Sequence, residues 1–352
     1  MNPLVSVIIP CRNEEKTIQS VLEALLKQSF PTEQMEVVIA DGFSTDNTRS
    51  AIQAYCESHP QLKVRLIDNP QKIIPAGLNI AIKASKGDII VRMDAHSLPG
   101  PDYVSSSVSA IQSGIAENVG GVWDIQPRNQ SWVARSIAAA AANPLAVGDA
   151  LYRYTDKAEY VDTVPYGAYK RSLFDEVGLF DETLLANEDY EINTRIRQAG
   201  GRIWLDPAIR CTYFARPTMK ALAKQYWGYG FWKAQMLKRY PKTLRWRQAL
   251  PPFFVLGILF LAGLGFFWHP AWVILAVVFG LYLLVQLIPA ISIAHKQNDL
   301  TLAIGIILAT LTMHFSWGSA LIVGLFSNPF RKQQNDRKVN RKTSRKIPPR
   351  QS

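Results

Sequence analysis

Over its first hundred residues the chain alternates short β-rich runs with stretches of helical period. Residues 4–9 are apolar and β-branched and stop at Pro10, as a buried parallel strand does. In residues 14–28, Ile18, Val21, Leu22, Leu25 and Leu26 fall on one stripe, which predicts an amphipathic helix. The alternation repeats: strands over 36–40, 63–67 and 88–93, helices over 48–58 and 76–85. Repeated βα units predict an α/β fold with a mainly parallel sheet and helices on both faces. Ligands of such sheets collect beyond the C-terminal strand ends, which here are Pro10, Asp41, Asp68 and Asp94. Further on the pattern loosens, and residues 181–201 read as a loop and a helix stopped at Gly200 and Gly201.

The last third has another character. Residues 248–295 contain no Asp, Glu, Lys or Arg, and neither do residues 300–330. No globular core needs such runs, whereas a bilayer needs about 20 apolar residues per helix. The first run is long enough for two spans joined at His269 and Pro270, and the second makes a third. Just before them, residues 218–240 mix Lys220, Lys224, Lys233 and Lys238 with Tyr226, Trp227, Tyr229, Phe231 and Trp232. That mixture suits a helix in the headgroup region, or a packed surface helix. The expected organisation is a catalytic domain over 1–217, an amphipathic interfacial segment over 218–247, a transmembrane region over 248–328 and a disordered basic tail over 329–352.

Of a net charge of +11, most lies in that tail, where nine Lys or Arg stand against the single Asp336. Beside a hydrophobic span this reads as a topology signal that attracts anionic lipid. Nucleic-acid binding is not expected, because the tail has no aromatic residue to stack on a base. Three full spans would put the tail opposite the catalytic domain, so either one segment is re-entrant or the tail is an exception. His314, among Thr310, Thr312 and Ser316, marks the third segment as irregular or as a helix with a hydrogen-bonded histidine. Cys11, Cys56 and Cys211 are few and lack metal-site spacing, which suits a reducing compartment. The run over 4–9 is too short and lacks the basic leader of a signal peptide. The expectation is a multi-pass protein of the inner (plasma) membrane with its catalytic domain in the cytoplasm.

Three clusters could carry chemistry. Asp41-Gly-Phe-Ser-Thr-Asp46 could bind a base or ribose, or Ser44, Thr45 or Asp46 could cap the helix at Thr48. Asp94 and His96, at i and i+2 after a strand, could complete a divalent-ion shell with phosphate oxygens, or form a plain turn. Glu188 and Asp189 open a helix, where the dipole favours carboxylates in any case; one could also take a proton from an attacking hydroxyl.

Taken in order, the pieces resemble the family 2 glycosyltransferases, inverting enzymes of the GT-A fold. The matching text is Ser6-Val-Ile-Ile-Pro-Cys-Arg-Asn-Glu-Glu15, Asp41-Gly-Phe-Ser-Thr-Asp-Asn-Thr48, Gly77-Leu-Asn79, Gly87-Asp88, Asp94-Ala-His96 and Glu188-Asp189, within residues 4–240. The resemblance implies a nucleotide-diphosphate sugar donor held by Pro10, Arg12, Glu14, Asn79 and Asp94, with Asp41 at the base, usually uracil. It implies a divalent cation on Asp94, with His96 in place of the family's second Asp, so that manganese serves as well as magnesium. Asp189 would be the catalytic base, with Glu188 beside it, and Tyr166-Gly-Ala-Tyr-Lys-Arg171 an acceptor-side loop.

Two departures refine this. Processive relatives carry Gln-x-x-Arg-Trp before their membrane helices, whereas Gln225-Tyr-Trp-Gly-Tyr229 lacks the Arg-Trp pair, so single additions are expected. Arg92-Met-Asp-Ala-His96 and the C-terminal anchor are most similar to the succinoglycan-type enzymes, which extend lipid-linked saccharides for exopolysaccharide. The expected acceptor is a lipid-linked saccharide. The rivals are a polyprenyl-phosphate sugar synthase and a nucleotide-binding membrane scaffold without turnover. No Gly-x-Gly-x-x-Gly follows the first strand, which sets aside a dinucleotide-dependent oxidoreductase.

Overall fold

The computed structural model describes residues 4–327 and Pro329. Its first part is the βα alternation read from the sequence: β1 (Val5–Cys11), α1 (Ile18–Leu26), β2 (Met35–Asp41), α2 (Thr48–Ser58), β3 (Lys63–Asp68), α3 (Ile74–Ala84) and β4 (Ile89–Arg92). β1 lies between β2 and β4, with β3 outside β2, and all four are parallel. β1 and β2 are buried along their whole length, which is why they read as unbroken apolar runs rather than alternating ones.

The remainder of the sheet is mixed. It is built from β5 (Ser97–Pro99), α4 (Tyr103–Gln112), β6 (Asn118–Pro127), α5 (Trp132–Ala141), α6 (Pro144–Val147), β7 (Glu159–Tyr160), β8 (Ala168–Lys170), α7 (Leu173–Val177), α8 (Glu188–Gln198) and β9 (Ile203–Ala215). The strand order is β3-β2-β1-β4-β8-β6-β9-β5, with β7 on β9. β8 runs antiparallel to both β4 and β6, while β6 and β9 are parallel. Short antiparallel strands need no crossover helix, so the βα rhythm fades here. The β6–β9 register shifts between Gly120 and Val122. There the backbones close in until a Cβ on Gly121 would lie 1.7 Å from the Ile209 carbonyl oxygen.

Two apolar cores sandwich the sheet. One joins Val7, Ile9, Val37 and Ile39 to Ile18, Leu22 and Val104 of α1 and α4. The other joins Ile8, Val38 and Ile90 to Leu78, Phe174 and Ile192 of α3, α7 and α8. α8 thereby becomes a fixed platform, and its first turn carries Glu188 and Asp189.

The chain continues as α9 (Met219–Leu237), α10 (Trp246–Gly265), α11 (Pro270–Lys296) and α12 (Leu302–Phe326). The last three are long and apolar enough to cross a membrane; at 1.5 Å per residue they measure about 30, 40 and 37 Å. α10, α11 and the turn between them expose Phe253, Phe260, Phe267 and Ile288, the pattern expected against hydrocarbon. α12 is the inner helix of the three and is continuous. His314 bridges the Tyr282 hydroxyl (2.8 Å) and the Ala146 carbonyl (3.2 Å), so it is a hydrogen-bonded histidine in a regular helix. The expected 218–247 segment is mostly α9, which packs along α12: a Cβ on Gly230 would meet the Trp317 carbonyl at 2.3 Å, and Gln235 donates to the Gly324 carbonyl (2.8 Å). The basic tail lies outside the described residues.

A third core locks this bundle to the sheet. Ile137 and Ala140 of α5, Tyr213 of β9 and Tyr226 of α9 share it with Ala290, Ile306 and Met313 of α11 and α12. The small residues of α5 let α12 approach until a Cβ on Gly305 would lie 2.1 Å from Ser136 Oγ.

Gly121→Ala is expected to force β6 from β9 and to cost about 2–3 kcal/mol. A thermal unfolding scan of the detergent-solubilised protein that shows no lowered midpoint would contradict this packing.

Candidate active site

Beyond β1 and β2, two loops are sewn together by their own polar side chains. Asn13 sits at φ 57°; its N–H donates to Ser44 Oγ (2.8 Å), and its Oδ1 accepts from the Thr45 N–H (2.8 Å). The Glu14 N–H donates to Thr48 Oγ1 (2.7 Å), and Asp46 Oδ1 accepts from the Thr48 N–H (3.1 Å). Asp46 thus takes the first N–H of α2 from one residue before the cap position, Asn47, whose own side chain makes no cap bond. Asp41 accepts from Ser44 Oγ (2.5 Å) and from Arg49 Nη1 (2.8 Å), with no exposed side-chain surface. In this arrangement it orients Ser44 and Arg49.

At the end of β4 stands a guanidinium with three carboxylates. Arg92 is buried; its Nη2 donates to Glu188 Oε1 (2.8 Å) and reaches Asp94 Oδ1 (3.3 Å), and its Nη1 pairs with Asp189 Oδ1. The second Asp189 oxygen accepts from the Tyr166 N–H (3.1 Å). That N–H is aimed by a left-handed backbone at Tyr166 (φ 63°) followed by Gly167 (φ 97°), where a Cβ would lie 2.4 Å from Asn118 Oδ1. Asn187 is also left-handed (φ 66°) and donates to the Tyr229 carbonyl (3.1 Å), fixing the start of α8 against α9. A left-handed Tyr stores strain of about 1–3 kcal/mol, which three anchored neighbours sustain.

Burial pushes the Asp189 carboxyl up, to about 7, with Glu188 and Asp94 adding to the rise and Arg92 pulling it down. A carboxylate poised near neutrality is suited to taking a proton.

Asp94 and His96 lie in the turn after β4, and His96 Nδ1 bonds Glu14 Oε1 (3.0 Å), joining the first loop to this turn. Burial depresses the imidazole, but the Glu14 hydrogen bond and the Asp94 charge outweigh it and its pKa is raised. Arg92 takes one Asp94 oxygen and Glu14 one His96 nitrogen, leaving Asp94 Oδ2 and His96 Nε2. Among the described residues no group of three His, Cys, Asp or Glu could hold a metal. The set fits a divalent ion only if phosphate oxygens and water supply the other ligands.

These residues open into a cavity of about 1350 Å³ lined at one end by Arg92, Asp94, His96, Glu188 and Asp189. At the other end it is lined by side chains of the membrane-length helices, among them Phe254, Val285, Met313 and Trp317. Of the residues singled out from the sequence, Asp94, His96, Glu188 and Asp189 come together here, with Glu14 joined through His96. Arg12 is exposed beside Gly42. Pro10 is buried within β1 opposite Ala40. Asn79 is buried too: its amide donates to the Phe180 carbonyl and Glu182 (both 2.9 Å), and its Oδ1 accepts from the Phe180 N–H (2.9 Å). It clamps α3 to the loop before α8.

Sequence reasoning gave Arg92 no role of its own. The signal was there: an arginine ending a strand that must be buried requires charged partners. Arg92→Met is expected to leave three carboxylates facing one another, at a cost of about 3–5 kcal/mol. Arg92→Lys keeps the charge but not the two-nitrogen fork, so it should fold better and still lose turnover. Thermal midpoints and initial rates of the two variants check this.

Comparison with known proteins accords with this geometry. The sequence profile of glycosyl transferase family 2 matches residues 6–178. The chain is 30% identical over 247 residues to the succinoglycan biosynthesis protein ExoA of Rhizobium meliloti, covering 70% of this chain and 73% of that one. It is 27% identical over 321 residues to the dolichyl N-acetyl-alpha-D-glucosaminyl phosphate 3-beta-D-2,3-diacetamido-2,3-dideoxy-beta-D-glucuronosyltransferase of Methanococcus voltae, covering 89% and 95%. Among solved structures, the mannosyltransferase PcManGT of Pyrobaculum calidifontis, in complex with GDP-Man and Mn2+, superposes with a TM-score of 0.63 at 21% identity, covering 89% of this chain and 87% of that one; this likeness bears on the fold. The βα half-sheet, the carboxylates gathered on Arg92 and these matches together make the chain a glycosyltransferase of family 2, with a GT-A catalytic domain joined to three membrane-length helices.

Proposed function

We propose that this glycosyltransferase moves one sugar, with inversion, from a uridine-diphosphate donor to a hydroxyl of a lipid-linked saccharide at the cytoplasmic face of the plasma membrane. The observation that carries the reading is the cavity, whose ends are the Asp189 carboxylate and the apolar side chains of α10 to α12. A soluble acceptor has no use for an apolar extension into membrane helices, whereas an acceptor on a lipid does. Holding both partners in one plane also raises their effective concentration. The two curated relatives, named for succinoglycan biosynthesis and for acting on a dolichyl-linked sugar, support the same class of acceptor.

In this reading the donor lies along the β1, β2 and β4 ends, bordered by Arg12 and Glu14, with its diphosphate at Asp94 and His96. A divalent cation bound there with the diphosphate supplies charge neutralisation for the departing group. Asp189 takes the proton of the acceptor hydroxyl; the freed oxygen bonds to the sugar's anomeric carbon as the bond to the diphosphate breaks, and UDP leaves. Arg92 and the Tyr166 N–H fix the Asp189 carboxylate, and Glu188 is bonded to the same guanidinium.

UDP release by the detergent-solubilised enzyme, offered UDP-sugars and a bacterial lipid-linked saccharide extract, tests the reading. Chelation should abolish release, and manganese or magnesium should restore it. Asp189→Asn should lower turnover about 10²- to 10⁴-fold. The base must be ionised, so wild-type turnover should fall as pH drops below about 7, by about tenfold per unit; the residual rate of Asp189→Asn should lack that limb. Transfer onto bare polyprenyl phosphate that survives Asp189→Asn would favour a polyprenyl-phosphate sugar synthase. Equal transfer to soluble sugars would remove the lipid-linked acceptor.

A further inference from the structure

The same cavity holds a second buried arginine that the reaction scheme leaves without work. Arg153 is only 7% exposed and lines the cavity. Its guanidinium lies 4.9 Å from the Trp123 ring centroid and 5.5 Å from that of Tyr152, two rings that pack edge to face with each other. Such ring contacts stabilise the charge without neutralising it. Among the described residues no carboxylate lies within ion-pair distance of it; the ionisable groups around it are phenols, of Tyr226, Tyr152, Tyr213 and Tyr229. Its one hydrogen bond is a long one, from Nη1 to the Ala141 carbonyl (3.5 Å). No hydrogen bond is made by Nε or Nη2 among the described residues, and the residue lines the cavity.

A guanidinium stays protonated in any protein environment. Taking one out of water without a counter-charge is expensive, and breaking a buried pair shows how much such a charge gains from an anion. Arg92 meets that requirement with three carboxylates; Arg153 meets it with none. The planar fork matches phosphate oxygens best.

The position selects the phosphate. Two rings stand between the two guanidiniums: Tyr166 is 5.7 Å from Arg92, Trp123 is 5.8 Å from Tyr166, and Arg153 is 4.9 Å from Trp123. Its Ala141 contact lies at the end of α5, the helix packed on α12. Arg153 and Asp189 line the same cavity. Lys224 and Arg247 line the same cavity, and among the described residues neither has a carboxylate partner.

We propose that Arg153 receives the phosphate or diphosphate that joins the acceptor's sugar to its lipid, setting how far the saccharide reaches toward Asp189. This rests on the lipid-linked acceptor proposed above and adds the residue that grips it.

Calorimetric binding of farnesyl diphosphate, farnesol and UDP to the full detergent-solubilised chain tests it without turnover. Wild type should bind farnesyl diphosphate about tenfold or more tightly than farnesol, and Arg153→Gln should erase most of that preference. UDP and farnesol affinities should not change. Arg153→Lys, which keeps the charge, should retain part of the preference and serves where the Gln variant unfolds. Loss of UDP affinity in step with farnesyl diphosphate would assign Arg153 to the donor's phosphates and overturn the proposal. An unchanged preference in both folded variants would make Arg153 a structural pillar of the aromatic cage, and would leave the lipid-linked acceptor standing. A wild type that does not distinguish farnesyl diphosphate from farnesol would sink the phosphate site itself, while UDP release onto the lipid-linked extract separately decides the acceptor.

Discussion

The catalytic end of this molecule depends on one buried guanidinium. Arg92 gathers carboxylates from two places far apart in sequence, Asp94 in the turn after β4 and Glu188 and Asp189 at the start of α8. Without a cation between them, three carboxylates at such distances would repel one another strongly in a low-dielectric site. With it, the β4 turn and the α8 start are held as one unit. The pair also explains why Asp189 is both anchored and reactive. Burial and two neighbouring carboxylates favour its protonated form, Arg92 opposes them, and the balance falls near neutrality. Three acids on one guanidinium still leave the cluster with excess negative charge, which is what a divalent cation beside Asp94 would offset.

A second constraint joins chemistry to membrane. α12 is the inner helix of its bundle and packs against α5 and α9 as well as α10 and α11. Close approach is possible because Gly230, Gly305 and Gly318 offer no side chain where the neighbour's atoms already stand. The catalytic domain therefore shares a core with the bundle, and the cavity between them has walls from both. Its polar end and its apolar end belong to one space because α9 and α12 hold the two parts in register.

Much of this was legible in the chain, and the reasons differ between regions. The elements through Arg92 read correctly because fully buried parallel strands and one-sided helices leave unambiguous hydrophobic patterns, as at β1 and α1. β7 and β8 are two and three residues long, too short for a period to show. Asp94, His96, Glu188 and Asp189 stood out in the chain because polar residues at strand ends and helix starts differ from their surroundings, and the fold places all four on one cavity. Pro10, Asp41 and Asn79 stand in the same motifs and are packed or bonded within the protein, a structural part that the motif itself does not reveal. Arg153 left no signal. It sits in a polar stretch beside a short turn of helix, and only the aromatic residues arriving from β6 and α9 reveal that it is buried.

The two buried arginines differ in the partners the protein gives them, and the difference follows from what each must do during turnover. Arg92 must hold Asp189 in one place whether or not substrate is present, so its partners are built in and permanent. A residue that grips and releases a substrate anion cannot be paired so tightly, because each binding event would have to break an internal salt bridge first. Aromatic rings resolve that conflict: Trp123 and Tyr152, packed edge to face beside Arg153, stabilise its charge without a salt bridge that a substrate anion would have to break. Carboxylate-paired at the chemistry and ring-paired further along, the two guanidiniums divide the cavity into a part that is fixed and a part that is free to load.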